Sequence, residues 1–548
     1  MSTTIINKKI WVVPAIVSAL LFSSCEKKVL DLEPYSAFSE SAAFGTADKV
    51  ELSVNGVYDA AQTGFYQPTP GSTVNETVRG YPFGAASIQQ GDLRGEDMLN
   101  QALFFQITYE ATISISSANN VNQFMTLYTL INKANITIEG VRNAGTAGII
   151  SAQKALEYEG ELRLLRAMAH HELVINFSRP YADGNGNKVG IIYFENGLNT
   201  EDKIAAARET KRSDFTVQQN YEKILADLEF AEQNLPAAAV VKTYRASKAA
   251  AIALKMRAKM HMGDWAGVLT EGAKIVSGTA PNYSSPIGGW KLMPTPLGPF
   301  TAATSDESIF SMRNASTDNA SVNGALANMA ASEASTAASG RPVGGGRGLV
   351  RISPIIWSDS RWLCDDLRRT TMVNTFTSGA AYTEKYRDVA THSDPAPLIR
   401  YAEVLLMMAE AEARNGAGVS ASAVDYLNAV RNRAVTNPAN QFSTASFADK
   451  DALVSAILFE RRVEFLAEGK RWGDIHRLAL DPVHAPISGG GIPSKVGTGL
   501  ATAAMFNCTG ATITRSVGAI PYSDHRFLWP IPEIETRQNP NYAQNPGY

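Results

Sequence analysis

Three clusters in this chain have residue types that could do chemistry, and their spacing decides against each. His170-His171-Glu172 holds the imidazoles and carboxylate of a hydrolytic zinc site. A helix that binds zinc needs its two histidines one turn apart with the glutamate between them. Adjacent histidines project about 100° apart and cannot easily face one ion, so the triplet reads as ordinary helix. Asp183-Gly184-Asn185-Gly186-Asn187 sets oxygen side chains at alternate positions, as a calcium loop begins. Lys188 then stands where the sharp turn needs glycine, and Phe194 where a bidentate glutamate belongs, so an exposed turn is expected. Gly344-Gly345-Gly346-Arg347-Gly348 lacks the following Lys-Ser or Lys-Thr and the preceding strand of a phosphate loop. No nucleophile motif is present, and no pattern singles out a facing pair among the 53 acidic residues. The residues predict no catalytic group, no metal and no cofactor.

The first thirty-four residues carry a different signal. Lys8 and Lys9 precede an apolar run from Ile10 to Phe22, too short to span a bilayer and of leader-peptide length. The run closes on Phe22-Ser23-Ser24-Cys25, which resembles a bacterial lipoprotein signal, with Cys25 lipidated and first in the mature chain. The alternative is an ordinary secretory leader with an incidental cysteine. The expected organisation is a leader at 1–24, a lipidated tether at 25–40 and one body at 41–548. That body has a helical-repeat-rich part (41–280) and a loop-rich part (281–548).

With 45% hydrophobic and 19% charged residues, the 548-residue chain can build a large core, and no later apolar run approaches membrane-spanning length. A formal net charge of −3 with interspersed signs argues against a nucleic-acid partner. Apart from Cys25 there are only Cys364 and Cys508. One disulfide between them is geometrically possible, but two unrelated buried thiols are expected.

Helical periodicity dominates. It predicts helices over Ala152–Phe177, Asp214–Leu235, Ser247–Met262, Trp265–Val276, Leu398–Asn415, Ala421–Val435 and Ala448–Ala467. Two of these meet at Gly263-Asp264 in a tight turn that resembles a tetratricopeptide unit, without its early Trp or terminal Pro. Small Ala250, Ala253 and Ala258 would let helices approach closely. Ala456, Phe459, Val463 and Leu466 form a stripe in the last helix, with Arg461 and Glu464 expected to pair on its solvent side. Pro281–Phe300 is Pro and Gly-rich loop, and Arg313–Gly348 is Ser, Ala, Asn and Gly-rich with no aromatic residue. Strands are expected only as short hairpins.

Five ordered segments carry a family resemblance: Leu30–Pro34; Glu161–His170; Arg400–Glu412; Ile457–Asp474; and Phe527–Glu533 with Asn539–Asn541 and Gln544–Tyr548. Together they span nearly the whole chain, and it resembles the RagB/SusD family of outer-membrane nutrient-binding lipoproteins of Bacteroidetes. The resemblance implies a mainly α fold, with a tetratricopeptide-like helical scaffold cradling a loop-rich part and a few short β-hairpins. It implies a non-enzymatic, surface-exposed, lipid-anchored protein. Such a protein binds oligosaccharide or polysaccharide for polysaccharide utilization and passes it to a SusC-like TonB-dependent transporter.

Arg461, Glu464, Arg471, Trp472 and Asp474 are expected to brace the helix rather than bind ligand. Sugar capture needs flat apolar faces ringed by amides and guanidinium groups, so aromatics on irregular loops are the candidates. They are Phe65, Tyr66, Tyr81, Phe83, Tyr283, Trp290 and Trp357, with Arg79, Arg94, Asn319 and Asn323 for polar contacts. The groups around Tyr81 and Trp290 are preferred, because the family's ligand sites draw on corresponding loops. Three other readings stand beside glycan capture: a peptide or glycopeptide binder of the same family, a surface glycoside hydrolase, and a purely structural helical adaptor.

Overall fold

The computed structural model describes residues 40–237, 243–302, 304–332, 345–375 and 380–548. The expected leader, Cys25, the Leu30–Pro34 segment and Gly344 lie outside these residues.

The architecture is mainly α. The principal helices are α1 (Ala47–Gln62), α2 (Ala85–Leu93), α3 (Ala118–Thr146), α4 (Ala152–Phe177) and α5 (Val217–Asn234). They continue with α6 (Lys248–Met262), α7 (Trp265–Gly272), α8 (Tyr401–Asn415), α9 (Ala421–Arg431), α10 (Lys450–Glu464) and α11 (Arg471–Arg477). From α3 to α9 each helix packs along the next, with α1 against α3 and α10 against α8. The chain leaves this stack after Gly272 and rejoins it at Tyr401, yet α7 and α8 pack directly on each other. A Cβ on Gly272 would stand 2.1 Å from Met408 Sδ, so the seam is close-packed.

Local chemistry sets the helix ends. Ser151, Thr216 and Ser247 each accept a backbone N–H of the first turn of α4, α5 and α6, and Thr216 completes a capping box with Gln219. Gly263 ends α6 at φ 74°, a left-handed conformation glycine tolerates, and Asp264 caps α7 in the same turn. Ala250, Ala253 and Ala258 are all buried.

Ten short strands form five antiparallel pairs among the described residues. They are β1 (Met98–Asn100), β2 (Ser277–Thr279), β3 (Asn282–Ser284), β4 (Ser308–Met312) and β5 (Val350–Ile352). The rest are β6 (Val373–Thr375), β7 (Ala381–Thr383), β8 (Ala396–Arg400), β9 (Gly491–Ile492) and β10 (Ile520–Pro521). Only β2–β3 and β6–β7 are local hairpins; β1–β5, β4–β8 and β9–β10 tie distant segments together. Residues 398–400, expected as helix, belong to β8, because Ile399 and Arg400 pair with Phe310 and Ser308 of β4 and α8 starts only at Tyr401.

Two further expectations are corrected. Arg461 and Glu464 are both buried. Arg461 pairs with Asp474 at 3.0 Å, while Glu464 faces the loop-rich part and meets Arg368, Arg400 and Arg433 at 3.0–3.1 Å. The helix that carries them is enclosed on both sides, so its charged face is interior and must be fully paired. Cys364 and Cys508 form a disulfide with Cα atoms 5.2 Å apart. Linear separation gave no hint that the Trp357–Arg369 segment and the C-terminal loop meet. Among the described residues no helix is long and apolar enough to cross a membrane.

Candidate ligand-binding site

Tyr66 and Thr77 exchange backbone hydrogen bonds of 2.7 and 2.9 Å, closing a loop that returns to the cis Tyr81-Pro82 bond. Tyr81 is fully buried; its hydroxyl accepts Gln90 Nε2 at 2.8 Å, and burial pushes the phenol well up. Tyr66 lies parallel to it, ring centroids 6.4 Å apart, and meets Phe104 edge-on at 5.7 Å. The Arg79 guanidinium covers both rings, 4.7 Å from the Tyr66 centroid and 4.8 Å from Phe104. Cation–π contact orients this arginine without neutralising it. Next to Phe104, Leu103 opens a short helix (Leu103–Tyr109) with its side chain 85% exposed.

A second loop abuts the first. A Cβ on Gly324 would sit 2.8 Å from Arg79 C and Gly80 N, so only glycine permits this approach. Asn323 Oδ1 accepts Arg347 at 2.7 Å, and the Arg347 and Leu349 amides donate to the carbonyls of Asn328 and Met329. The chain then enters β5, which pairs with β1. Gln101 donates its amide to Leu349 O at 2.9 Å, while its side-chain oxygen accepts Arg351. Arg79, Arg347, Arg351, Leu103, Phe104, Gln101 and Asn323 therefore share one border between two loops. None of the three arginines forms an ion pair among the described residues. This surface offers an exposed apolar edge beside a row of guanidinium donors.

Of the residues expected from sequence, Arg79 and Asn323 meet at this border; Tyr66 is itself buried and serves as the face on which Arg79 rests, with Phe65 half-buried beside it. Asn319 lies in the same loop but spends its amide on Ala315 O, Thr391 O and the Ser321 N–H, which fixes the turn. Five candidates are corrected to packing roles, because the irregular segments that carry them are themselves folded into the core. Besides Tyr81 these are Phe83, Trp290, Trp357 and Arg94, each less than a tenth exposed. Trp290 is held inside by the hydrogen bond from the Ser285 amide to its carbonyl, at 2.6 Å. Trp357 packs edge-on against Trp362 at 5.4 Å beneath the Arg369 guanidinium. Arg94 donates to Asn176 Oδ1 and Phe527 O, both at 2.7 Å, and lies 3.2 Å from the Trp472 ring centroid. Tyr283 falls elsewhere, 4.8 Å from Tyr426, in an open groove of about 490 Å³ with Asn428 and Asn432. Gln101, Leu103, Phe104, Arg347 and Arg351 were not singled out from sequence. The adjacency Leu103-Phe104-Phe105 was the available signal, since three consecutive large apolar residues cannot all face one side of a short helix.

The clusters set aside on spacing sit in structural positions. His170 Nδ1–H donates to Arg166 O at 2.9 Å, and the ring stacks on Tyr193 at 3.5 Å. His171 lines an interior cavity of about 110 Å³ between α4, α6 and α11, with His261 at 4.8 Å. Asp183 accepts the Tyr522 hydroxyl at 2.8 Å and pairs with Lys188. Arg471 pairs with Glu96, and Trp472 Nε1 donates to Ile175 O at 3.0 Å, so the Ile457–Asp474 segment braces the scaffold.

The structure is thus a stack of paired helices that presents a loop-built, donor-rich surface. A model of the SusD family matches residues 365–548, and a second, described as starch-binding associating with outer membrane, matches residues 28–259. The chain belongs to the SusD/RagB family. Among curated relatives, SusD-like protein P38 of Formosa agariphila is 39% identical over 97 residues, 17% of this chain and 19% of its own length. SusD-like protein P2 of the same organism is 32% identical over 154 residues, 27% of this chain and 25% of its own. The chain thus aligns with no more than a quarter of either. A SusD superfamily protein from Bacteroides fragilis superposes with a TM-score of 0.71 at 26% identity, covering 91% of this chain and 99% of that one. Surface glycan-binding protein A from Bacteroides thetaiotaomicron, in complex with laminarihexaose, superposes with a TM-score of 0.63 at 17% identity, covering 91% and 99%.

Proposed function

We propose that this protein is a non-catalytic glycan-binding subunit of an outer-membrane uptake system. It captures oligosaccharide or polysaccharide and passes it to a SusC-like TonB-dependent transporter. Lipid on Cys25 holds it to the outer membrane with the body at residues 41–548 facing outward. Family membership supports the reading, and so does the name of a structural neighbour that binds laminarihexaose. The observation that carries it on this chain is the joint border of Leu103, Phe104 and Arg79 with Asn323, Gln101 and Arg347. An exposed apolar edge suits the C–H face of a pyranose, and oriented guanidinium and amide groups suit its oxygens. Among the described residues of that border no pair of carboxylates faces one another, as glycoside cleavage requires.

Affinity electrophoresis and calorimetry on the mature chain against a panel of glycans and peptides test the proposal. Saturable binding to a glycan class, with no reducing ends released over the same hours and binding lost in Arg79→Ala, is expected. Release of product would replace capture with hydrolysis. Binding to peptides alone would move the protein to a different cargo. Co-purification of a large β-barrel with the tagged, full-length chain is the expected outcome for the transporter partner.

A further inference from the structure

We infer that the ligand taken at this border is anionic: a glycan bearing carboxylate or sulfate groups. The inference rests on the glycan-capture reading and names the chemical class within it. Elsewhere in the protein, Arg94, Arg212 and Arg369 are buried on amide and carbonyl oxygens, whereas most buried arginines are matched to carboxylates. Arg368, Arg400, Arg433, Arg461 and Arg477 each have at least one within 3.1 Å. Arg79, Arg347 and Arg351, none of them fully buried, come together in one place without an ion pair among the described residues. A net charge of −3 means that their unpaired state is no by-product of a basic chain.

All three are held by uncharged neighbours. Arg79 rests on the faces of Tyr66 and Phe104; Arg347 donates to Asn323 and lies 3.9 Å from Met329 Sδ; Arg351 donates to Gln101 near the Tyr382 ring. Such partners fix direction and leave the positive charge, with most of the five N–H donors of each guanidinium, unspent. The side-chain oxygens of Asn323 and Gln101 accept hydrogen bonds from Arg347 and Arg351 respectively. Glu76, the exposed carboxylate in the first loop, accepts Gln67 Nε2 at 2.8 Å and pairs with none of the three arginines. Among the described residues the border therefore offers more donors than acceptors. Neutral hydroxyls offer a donor for every acceptor, whereas a carboxylate or sulfate only accepts and takes a guanidinium fork by two parallel bonds. A donor-rich border whose guanidinium groups lack ion pairs among the described residues matches the second kind of group.

Calorimetry on the mature chain with four probes tests this: oligogalacturonate, κ-carrageenan oligosaccharide, laminarihexaose and maltohexaose. The expected result is binding of at least one charged probe about ten-fold or more tighter than either neutral one, as charge-assisted bonds allow. That binding should weaken sharply as salt rises to about 0.5 M, because the contacts are partly exposed. The carboxylate and sulfate arms identify which group is read. Arg347→Gln is exposed and leaves the melting temperature unchanged, yet should lose about ten-fold in affinity for the charged probe. Arg351→Lys should fall between wild type and Arg351→Gln, because charge remains while the fork is lost. Neutral probes binding as tightly as charged ones, or Arg347→Gln binding like wild type, would overturn the inference and leave glycan capture standing. Failure of all four probes, together with silence across the wider panel, would remove the capture reading and this inference with it.

Discussion

Arg400 and Glu464 meet at 3.0 Å with neither side chain more than 1% exposed, at the point where the loop-rich part joins the helical stack. Arg400 also reaches Glu307 at 2.5 Å and Glu468 at 2.7 Å, while Arg433 pairs with both Glu307 and Glu464. Burial alone would raise the Glu464 carboxyl, but Arg433, Arg400 and Arg368 outweigh it and hold the group at about 2. The network binds β4, β8 and α10 into one junction.

Arg400→Met should therefore destabilise the protein by about 3–5 kcal/mol, because three buried carboxylates lose their shared cation. Chemical denaturation of the variant beside the parent measures it. A loss under about 1 kcal/mol would mean the junction relaxes or hydrates freely.

Reduction of the Cys364–Cys508 bond should lower stability by about 2–4 kcal/mol through the freed chain entropy of the unfolded state. The change should concentrate near residues 358 and 505–507, where Ser358 Oγ donates to Met505 O and accepts the Asn507 amide. Hydrogen exchange with and without reductant reads the location. Uniform loss across α3–α6 would contradict it.

Acid should act first through buried histidines. Burial lowers the pKa of His171 and of His476 from 6.5 to about 3. Both rings thus stay neutral in the fold while the unfolded chain charges them below 6.5. The unfolded state then binds more protons, so stability present above pH 6.5 is lost as pH falls from 6.5 toward 3. For His171 alone the loss between pH 6.5 and 5 is about 2 kcal/mol. In His171→Gln the fall in stability from pH 7 to 5 should be smaller by roughly that amount. An identical pH profile in variant and parent would show that His171 titrates alike in both states.

Border and core should part under mutation. Arg79→Gln and Leu103→Ala are expected to cut ligand affinity about ten-fold, Arg79 through its charge-assisted bonds and Leu103 through its exposed apolar face. Both should change the melting temperature little. Trp290→Ala should instead cost about 3–5 kcal/mol of stability, as removal of a fully buried aromatic does. Calorimetric binding and thermal melts on the same three proteins decide this. A stable Trp290→Ala that cannot bind would return the site to the Pro281–Phe300 loop.

Helix α4 was legible because its caps and apolar rows lie in consecutive residues, and its bounds match the periodicity at both ends. Helix α3, the longest, was not. Asn119, Asn120, Asn122, Gln123 and Asn135 sit on its buried side and hide the apolar period, since each donates its side-chain amide to a carbonyl or hydroxyl of another segment. The candidate site divides in the same way. Tyr66 and Arg79 lie in one loop and could be named together, whereas Arg347 and Arg351 come to Asn323 and Gln101 only through β1–β5 pairing. Trp290 and Trp357 misled because Gly and Pro-rich surroundings report backbone irregularity and not exposure.

The departure of the chain after Gly272 and its return at Tyr401 also fixes an order of assembly. Helices α3 to α7 can zip together from neighbours, as repeat arrays do, but the α7–α8 seam forms only once residues 273–400 have been threaded past it. Until then Val268 and Gly272, buried in the finished protein, face water. Arg94 waits longer still, for the Phe527 carbonyl 433 residues downstream. High contact order of this kind slows the final step, so the nascent chain passes through a half-stack with an open apolar end, the species a chaperone would hold.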